Sequence, residues 1–329
     1  MKNSGLQILE IELTTRCNLN CKHCYVNKKN QIDLPNSKII SLIKEAKKLN
    51  VYRIVFTGGE PLLCKKLFAY ASLAKKLKIN QVMMMTNGLL ITEENIRNLK
   101  VFDLIQLSFD SLPGKTPRFR VDYTKDLEKK IALLKKHHIQ ISLQATIHKS
   151  LLPEIKNIAK FAEKTKIKIG FNRLSAVGNA TKLQNELLQP KELRKALTKI
   201  SKLKQTNHFI GCSDPLLFLV DNNKMELFKS QPKRTILGGC IAGVSTLYIA
   251  ANQDIYICPF VRKKIDSIKN KKMSIVWEKN KVLEKLRERD YSGKCGKCEY
   301  KSYCGGCRAS SLTNENTLLG SDKNCFKTD

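Results

Sequence analysis

Six apolar segments rich in β-forming residues alternate with amphipathic helical segments, and this alternation constrains the fold more than any other feature. The strands are predicted at 6–13, 51–56, 79–85, 101–109, 139–147 and 167–172. The helices are predicted at 37–49, 65–77, 125–137 and 190–204, with two more beginning at Thr92 and Pro153. Such alternation predicts an α/β fold with a parallel sheet and right-handed crossovers, either open or curled into a barrel. Ligands of such sheets bind at the carboxyl ends of the strands.

The composition indicates a folded, cytoplasmic protein with metal or redox chemistry. Of the 329 residues, 42% are hydrophobic and 27% are charged, which excludes whole-chain disorder. No apolar run approaches the roughly 20 residues that cross a bilayer, and the N-terminus lacks a signal-peptide cleavage site. The 12 cysteines are mostly clustered, which in a reducing cytosol favours metal or redox sites over disulfides. The net charge of +31 indicates either an anionic partner or lysine-rich, solvated helix faces.

Three cysteines form a C-x3-C-x2-C pattern directly after the first predicted strand: Cys17, Cys21 and Cys24. A structural zinc ion takes four protein ligands, and a [4Fe–4S] cluster also takes four, one per iron. Three thiolates therefore leave one iron of a cluster open to a substrate or cofactor. A zinc loop completed by His23 or by a distant cysteine remains the alternative. Cys64, at a predicted helix start, is interpreted as a packed thiol.

A second cysteine array occupies the C-terminal region. Its middle part reads C-x2-C-x5-C-x2-C, which is typical of a zinc ribbon or a ferredoxin-like site. Alternation over 245–257 predicts a β-hairpin that turns at 251–253, and a helix is predicted near 275–289, whereas 205–238 has no clear pattern. Domain boundaries are therefore set at 1–186, 187–238 and 239–329. The seven cysteines of the array are Cys240, Cys258, Cys295, Cys298, Cys304, Cys307 and Cys325.

The N-terminal pattern resembles the radical SAM superfamily, which carries C-x3-C-x-aromatic-C after the first strand of a partial (β/α)6 barrel. His23 occupies the aromatic position here, and TGGEP at 57–61 resembles the family's GGEP motif. The resemblance implies that S-adenosylmethionine (SAM) chelates the open iron of a [4Fe–4S] cluster. It also implies cofactor contacts from Gly58, Gly59, Glu60, Pro61, Asn87, Ser108, Asp110, Gln144 and Arg173.

Within this resemblance, each part of the GGEP motif has an expected physical role. Gly58 and Gly59 lack Cβ atoms, so their backbone is expected to run against the methionine moiety of SAM. The Glu60 carboxylate is expected to accept from the ammonium group, and Pro61 is expected to fix the turn. Asn87–Gly88 is also simply a favourable turn, so the cofactor role of Asn87 has an ordinary alternative.

The C-terminal array resembles the SPASM domain of radical SAM enzymes. By position, Cys240, Cys258 and Cys307 would hold a first auxiliary [4Fe–4S] cluster. A second would be held by Cys295, Cys298, Cys304 and Cys325, which makes three clusters in all. Cys212 is a candidate fourth ligand of the first auxiliary cluster, with a catalytic hydrogen-donor thiol and an idle thiol as alternatives. Gln253 replaces a glycine that is usual before the post-hairpin cysteine.

The two resemblances together imply reductive cleavage of SAM to a 5′-deoxyadenosyl radical that abstracts hydrogen from a substrate. Maturation of a ribosomal peptide by cross-linking, thioether formation or epimerisation is favoured. Modification of a tetrapyrrole carboxylate side chain is the alternative, and Pro259 disfavours a sulfatase maturase. The expected partners are a peptide substrate and a flavodoxin- or ferredoxin-type electron donor. Because the first strand is predicted to begin near residue 6, leader recognition is expected from a separate leader-binding protein or from the basic surface. A second functional class, a non-catalytic zinc protein that binds nucleic acid, remains an alternative because of the net positive charge and the cysteine clusters. Only 7% of the residues are aromatic, which leaves few side chains for stacking on bases.

Overall fold

The computed structural model describes residues 5–26, 30–115, 118–120, 124–223, 225–226 and 238–327. The strands are β1 (Ile8–Glu12), β2 (Arg53–Thr57), β3 (Gln81–Thr86), β4 (Leu104–Ser108), β5 (Ile141–Ile147), β6 (Lys168–Arg173), β7 (Ile210–Cys212), β8 (Thr246–Ile249), β9 (Asp254–Tyr256) and β10 (Asp266–Ser267). The helices are α1 (Asn36–Lys48), α2 (Leu67–Lys76), α3 (Ile96–Leu99), α4 (Thr124–Lys136), α5 (Ile155–Thr165), α6 (Pro190–Thr206), α7 (Met273–Lys279), α8 (Lys281–Glu288), α9 (Gly293–Lys297) and α10 (Arg308–Glu315).

The strands form one sheet in the order β10-β9-β8-β1-β2-β3-β4-β5-β6-β7. Each of β1 to β6 pairs in parallel with the next strand along the chain, so β1 to β7 are seven successive parallel strands. Helices cross over between these strands and cover the sheet through buried aliphatic side chains such as Ile43, Leu134 and Leu197. The predicted α/β fold, a partial barrel of parallel strands with a cysteine-rich C-terminal region, is confirmed.

A common turn ends four of the crossover helices and starts the next strand. After α1, α2, α4 and α5 one residue takes a left-handed conformation, and the amide of the following apolar residue bonds a carbonyl five positions back, as in a Schellman motif. These left-handed residues carry side chains, which costs more than glycine would. In each case the bonded apolar residue is buried and lies one or two positions before the next strand. The left-handed residues are Asn50, Lys78, His138 and Lys166, and the bonded pairs are Val51–Ala46, Ile79–Ala74, Ile139–Leu134 and Ile167–Ala162.

The predicted C-terminal hairpin is present, and it extends the barrel sheet. β8 pairs in parallel with β1 and antiparallel with β9. The buried Glu12 carboxylate of β1 accepts from the Tyr248 hydroxyl and from the Ala251 amide. Gln253 has φ +72°, in the left-handed region that favours glycine, so the backbone of this turn is more strained than it would be with a glycine. The cysteine-rich region is therefore joined to the barrel through backbone pairing.

Three predictions of local structure are wrong, and one strand was not predicted. The fifth helix does not begin at Pro153, because Pro153 lies inside a 3₁₀ helix, Lys149–Glu154, and the α-helix starts at Ile155. The third helix does not begin at Thr92, because the Asn95 side chain bonds the Thr92 amide and the helix starts at Ile96. The helix predicted at 275–289 is two helices, since the Asn280 side chain accepts from two amides and starts a new helix. The patternless stretch 205–238 contains the short strand β7, which adds a seventh parallel strand. Residues 224 and 227–237 of the predicted bridging segment lie outside the described residues.

Candidate active site

A cavity of about 380 Å³, which we call the central cavity, lies inside the sheet at the carboxyl ends of the parallel strands. Its volume is in the range of small-molecule sites. Glu60 and Pro61 are not among the described residues that line it. The predicted site residues that do line it are Cys17, Cys21, Cys24, Gly58, Gly59, Asn87, Ser108, Asp110, Gln144 and Arg173.

The loop that carries the three cysteines is held by a second loop, which follows β6. The Asn179 amide donates to the Cys24 carbonyl oxygen at 2.8 Å, and Asn179 Nδ2 donates to the Cys21 carbonyl oxygen at 3.1 Å. Gly178 has φ +58°, and a Cβ there would lie 2.5 Å from the Cys24 carbonyl oxygen. The segment that contains this loop, RLSAVGNA at 173–180, predicts from its sequence only an exit loop after the sixth strand. Its glycine and asparagine are what support the cysteine loop.

Donors point at the first cysteine of the pattern. The Leu19 amide nitrogen lies 3.4 Å from Cys17 Sγ, and Asn87 Nδ2 lies 3.9 Å from it. Hydrogen bonds to cysteine sulfurs are among the interactions that tune an iron–sulfur cluster. Asn87 therefore joins the third strand exit to the cysteine loop.

Gly58 and Gly59 allow a close backbone approach, but to the protein itself. The Gly59 amide donates to the Thr14 carbonyl oxygen at 2.7 Å, and the Glu60 amide donates to the Arg16 carbonyl oxygen at 2.8 Å. A Cβ on Gly59 would lie 2.2 Å from the Arg16 carbonyl oxygen. The glycines are thus required because the β2 exit packs against the chain that enters the cysteine loop.

The Glu60 carboxylate is fully buried and engaged by protein donors. Oε1 accepts from the Leu62 amide at 3.1 Å and from Thr86 Oγ1 at 2.7 Å, and Oε2 accepts from the Asn87 amide at 2.9 Å. Burial raises the pKa of Glu60, although these hydrogen bonds oppose the shift. The carboxylate joins the exits of β2 and β3. A direct contact with a cofactor ammonium group stays a prediction.

Asp110 is paired with Arg120 and lies beside His23 at the edge of the cavity. It accepts from Arg120 Nε, and its Oδ1 lies 3.6 Å from His23 Nε2. Burial alone would raise the pKa of Asp110, but the adjacent Arg120 guanidinium outweighs it and the pKa is lowered. Burial lowers the pKa of His23 and favours its neutral imidazole. His23 Nδ1 is buried with no hydrogen-bond partner among the described residues, so the wall of the cavity offers an unused polar atom.

A row of amide side chains crosses the inner face of β4, β5 and β6. Gln106 Nε2 donates to Gln144 Oε1 at 3.0 Å, and Gln144 Nε2 donates to Asn172 Oδ1 at 3.1 Å. These three residues and Ser108 and Thr146 line the cavity. Gln106 and Asn172 were missed by the sequence analysis. The signal that could have found them is a polar residue at every second position of otherwise apolar strands, because such positions share one face.

Arg173 links the barrel to the C-terminal region. Its Nη2 lies 2.7 Å from Asp214 Oδ1 and 3.1 Å from Asp322 Oδ2, and all three side chains are buried. Asp322 Oδ2 also accepts from the Cys307 amide at 2.8 Å. Arg173 does line the cavity, but its charge is already matched by two carboxylates.

The C-terminal cysteines form two groups of interacting thiols. Cys240, Cys258 and Cys307 act on one another electrostatically. Cys295, Cys298, Cys304 and Cys325 form the other group and line a second cavity of about 200 Å³. The Gly306 amide nitrogen lies 3.4 Å from Cys304 Sγ, and Arg308 Nη2 lies 3.7 Å from Cys295 Sγ.

Cys212 lies at the sheet edge, on β7. The groups that act most strongly on its thiol are Asp214, Arg173 and Lys204, and burial raises its pKa to about 12. Among the described residues, the lining of the central cavity includes its neighbour Ser213 but not Cys212. Both predicted roles of Cys212, cluster ligand and hydrogen donor, stay predictions.

Comparison with known proteins places the cysteine loop and the GGEP turn inside one family domain. The family model of the Radical SAM superfamily matches residues 11–162. These residues form a radical SAM domain. The family supports SAM and one [4Fe–4S] cluster as cofactors, and it indicates an enzyme.

Curated relatives and solved structures match the radical SAM domain together with the C-terminal region. An AdoMet-dependent heme synthase of Oleidesulfovibrio alaskensis is 23% identical over 97% of this chain and 87% of its own length. An Fe-coproporphyrin III synthase of Methanosarcina barkeri is 26% identical over 89% of this chain and 81% of its own length.

Two solved structures share the fold. SuiB of Streptococcus suis, bound to precursor peptide SuiA, has a TM-score of 0.78 at 19% identity, covering 98% of this chain and 76% of SuiB. The enzyme anSMEcpe, with bound AdoMet and the Cp18Cys peptide, has a TM-score of 0.72 at 20% identity, covering 97% of this chain and 93% of anSMEcpe. At these identities the likeness shows the fold alone.

The residues of the radical SAM domain fit a cluster better than a single ion. Among the described residues, no three Cys, His, Asp or Glu side chains converge on a point that one metal ion could occupy. A [4Fe–4S] cluster binds each cysteine through a different iron and so accepts a wider spread of sulfurs. The three thiols of the loop face one cavity, which matches that requirement.

No helix in the described ranges is long and apolar enough to cross a membrane.

We expect Gly59→Ala to disable the radical SAM domain. The added Cβ would overlap the Arg16 carbonyl oxygen and displace the cysteine loop, and misplacement of about 1 Å can cost about 100-fold in rate. The measurement is 5′-deoxyadenosine release from SAM. Gly211→Ala on β7 is the matched control, because its Cβ would meet no atom closer than 3.7 Å. A Gly59→Ala enzyme as active as this control would contradict the packing argument.

Proposed function

We propose that this chain is a radical SAM enzyme that cleaves SAM reductively and abstracts hydrogen from a peptide. The observation that carries the first part is that three cysteines line one cavity whose inner wall is polar. When bound, the cluster and SAM supply a 5′-deoxyadenosyl radical. Because the radical SAM domain indicates an enzyme, the non-catalytic zinc protein that binds nucleic acid loses its support.

The residues of the chain bind and orient these cofactors. Cys17, Cys21 and Cys24 would hold the cluster, and Asn87 and the glycine turn keep their loop against the barrel. The row of Gln106, Gln144 and Asn172 would offer amide donors and acceptors to a polar ligand such as the ribose of SAM. The loop of Gly178 and Asn179 stabilises the cysteine loop from the other side.

The C-terminal region would hold two auxiliary [4Fe–4S] clusters. The two thiol groups described above support the ligand sets that the SPASM resemblance implies. The first set has three cysteines, and the second has four around a cavity. We retain 1–186, 187–238 and 239–329 as the proposed domain boundaries.

The charge of the cavity wall favours a peptide over a tetrapyrrole. A tetrapyrrole brings several carboxylates, which would need unpaired cations. The arginines in the described lining, Arg120 and Arg173, are each paired with carboxylates. Glu10 adds an acid to the wall, and burial raises its pKa to about 7, although the charge of Arg53 opposes the shift.

A tetrapyrrole remains the second candidate substrate, because curated relatives that match 89–97% of this chain are heme or Fe-coproporphyrin III synthases. Under this proposal the same cavity would receive a propionate side chain. A separate leader-binding chain would then have no role, whereas a one-electron donor would still be needed.

One experiment separates the two substrates. The reduced enzyme is incubated with SAM and either a precursor peptide encoded beside its gene or an iron-coproporphyrin, and 5′-deoxyadenosine and product mass are measured. We expect turnover with the peptide, seen as loss of two hydrogens for a cross-link or as deuterium uptake for epimerisation. Turnover with the tetrapyrrole alone, seen as loss of carbon dioxide and two hydrogens from a propionate side chain, would overturn the peptide proposal.

Cys298→Ala tests whether the SAM-binding cluster cleaves SAM without the second auxiliary cluster, while substrate modification requires both. It should remove about four irons per chain while 5′-deoxyadenosine formation persists at least in part. Substrate modification should be lost. Complete loss of 5′-deoxyadenosine in a variant that keeps its N-terminal iron would contradict the proposed division.

A further inference from the structure

The cavity of the second thiol group is lined in part by positively charged side chains. Its lining combines the four cysteines with apolar side chains and with four lysines. We name these lysines the lysine collar: Lys294, Lys297, Lys301 and Lys327. Lysine and cysteine alternate closely from 294 to 301, so the sequence itself places cations beside the thiols.

The thiol group lies near the surface at the collar. Cys295 and Cys304 are buried, whereas Cys298 and Cys325 are only half-buried. Lys294, Lys297 and Lys301 are exposed. Leu216, Leu219 and Tyr300 give the cavity an apolar wall. A cluster in this position would be covered by little protein on the side that the collar surrounds.

The described acidic groups near the lysine collar are too few to neutralise its positive charge. Lys327 Nζ lies 3.6 Å from Glu299 Oε1 and 5.5 Å from the Tyr300 ring centre. Glu299 is itself exposed. Asp322, which also lines the cavity, is already paired with Arg173. The surface therefore presents an excess of positive charge around an apolar, thiol-lined depression.

We propose that the lysine collar docks an acidic one-electron carrier protein of the flavodoxin or ferredoxin class, which delivers an electron to the four-cysteine site. This inference rests on the proposed function, in which that site holds a [4Fe–4S] cluster. The reduced carrier loses one electron and the cluster gains it, with no bond or proton transferred. Transient redox complexes bury small interfaces, and charge complementarity supplies their association rate and orientation.

The rest of the chain provides a matched control surface. The outer face of α6 is as basic as the collar, and its lysines line an open groove that no cysteine shares among the described residues. Lys191 and Lys195 on that face are exposed. Reversing two lysines on either surface changes the net charge equally, so a difference between the variants reports on position rather than on total charge.

The experiment compares Lys297→Glu/Lys301→Glu with Lys191→Glu/Lys195→Glu in the full-length, cluster-loaded protein. The probe is a purified flavodoxin of net negative charge. Its hydroquinone is mixed with each protein by stopped flow, and its binding in the oxidised state is titrated calorimetrically at low and high salt. The collar variant should lose about 10-fold or more in association rate and most of the salt dependence, and the α6 variant should resemble the wild type. Equal rates in all three proteins, or equal losses in both variants, would overturn the inference.

Two further measurements separate this inference from the proposed function. Photoreduction by deazariboflavin, a small neutral reductant that needs no docking, should reduce the clusters of all variants to the same extent. Iron and acid-labile sulfide should fall in Cys298→Ala but not in the collar variant. Unchanged iron in Cys298→Ala would refute the second auxiliary cluster, whereas a fall in iron combined with normal docking by the collar variant would refute the docking surface alone.

Discussion

Cys17→Ala, Cys21→Ala and Cys24→Ala are each expected to abolish the formation of 5′-deoxyadenosine from SAM. Each thiol lines the central cavity, and each would bind a different iron, so the loss of one leaves a cluster with two protein ligands. Iron per chain should fall by up to about four atoms. The product is measured by chromatography after chemical reduction, and iron and sulfide are counted in the same samples.

Cys64→Ala is the control for this series. Cys64 is half-buried, and it lies outside the described lining of the central cavity. Burial raises its pKa, which disfavours a reactive thiolate. This variant should keep its iron and its activity. Persistent activity in Cys17→Ala, or a loss in Cys64→Ala equal to that of the loop variants, would show that the cluster lies elsewhere.

Arg173→Met is expected to cause the largest loss of stability. It would leave the buried Asp214 and Asp322 carboxylates without their cation. Breaking a buried ion pair by removing one partner costs about 3–5 kcal/mol. Because Asp322 also accepts from the Cys307 amide, the first auxiliary thiol group should be disturbed as well. Denaturant unfolding gives the free energy of unfolding, and iron analysis reports on the cluster.

An exposed ion pair serves as the comparison. Lys115 Nζ lies 2.6 Å from Glu154 Oε1, but the Lys115 side chain is 53% exposed. Lys115→Met should change the free energy of unfolding by only about 0–1 kcal/mol. If Arg173→Met destabilised the protein no more than Lys115→Met does, the buried network would not join the barrel to the C-terminal region.

The sequence predicted the parallel strands β1 to β6 because their apolar runs are long and regularly spaced. It did not predict β7, since Ile210–Cys212 is too short to show a period of two. It placed one helix over 275–289 because the apolar pattern continues across Asn280. Only the capping bonds of that side chain to Val282 and Leu283 end one helix and begin the next.

Motifs in the sequence indicated part of the candidate site, whereas its contacts between distant parts of the chain were not predicted. The cysteine loop and the glycine turn correspond to short motifs, and the two C-terminal thiol groups correspond to what the SPASM resemblance implies. The contacts of Asn179 with Cys21 and Cys24 join positions more than 150 residues apart, and no local pattern encodes them. The engagement of Glu60 by Thr86 and Asn87 could not be foreseen for the same reason.

The most direct test of the central claim is an electron–nuclear double resonance measurement on the reduced protein with SAM labelled by ¹⁵N at the amino group and ¹⁷O at the carboxylate. If the three cysteines leave one iron open, both labels should show hyperfine coupling to the cluster, and Cys17→Ala should show none. Absence of coupling in a wild-type protein whose N-terminal cluster is intact and reduced would mean that a protein side chain fills that iron, which would contradict the account.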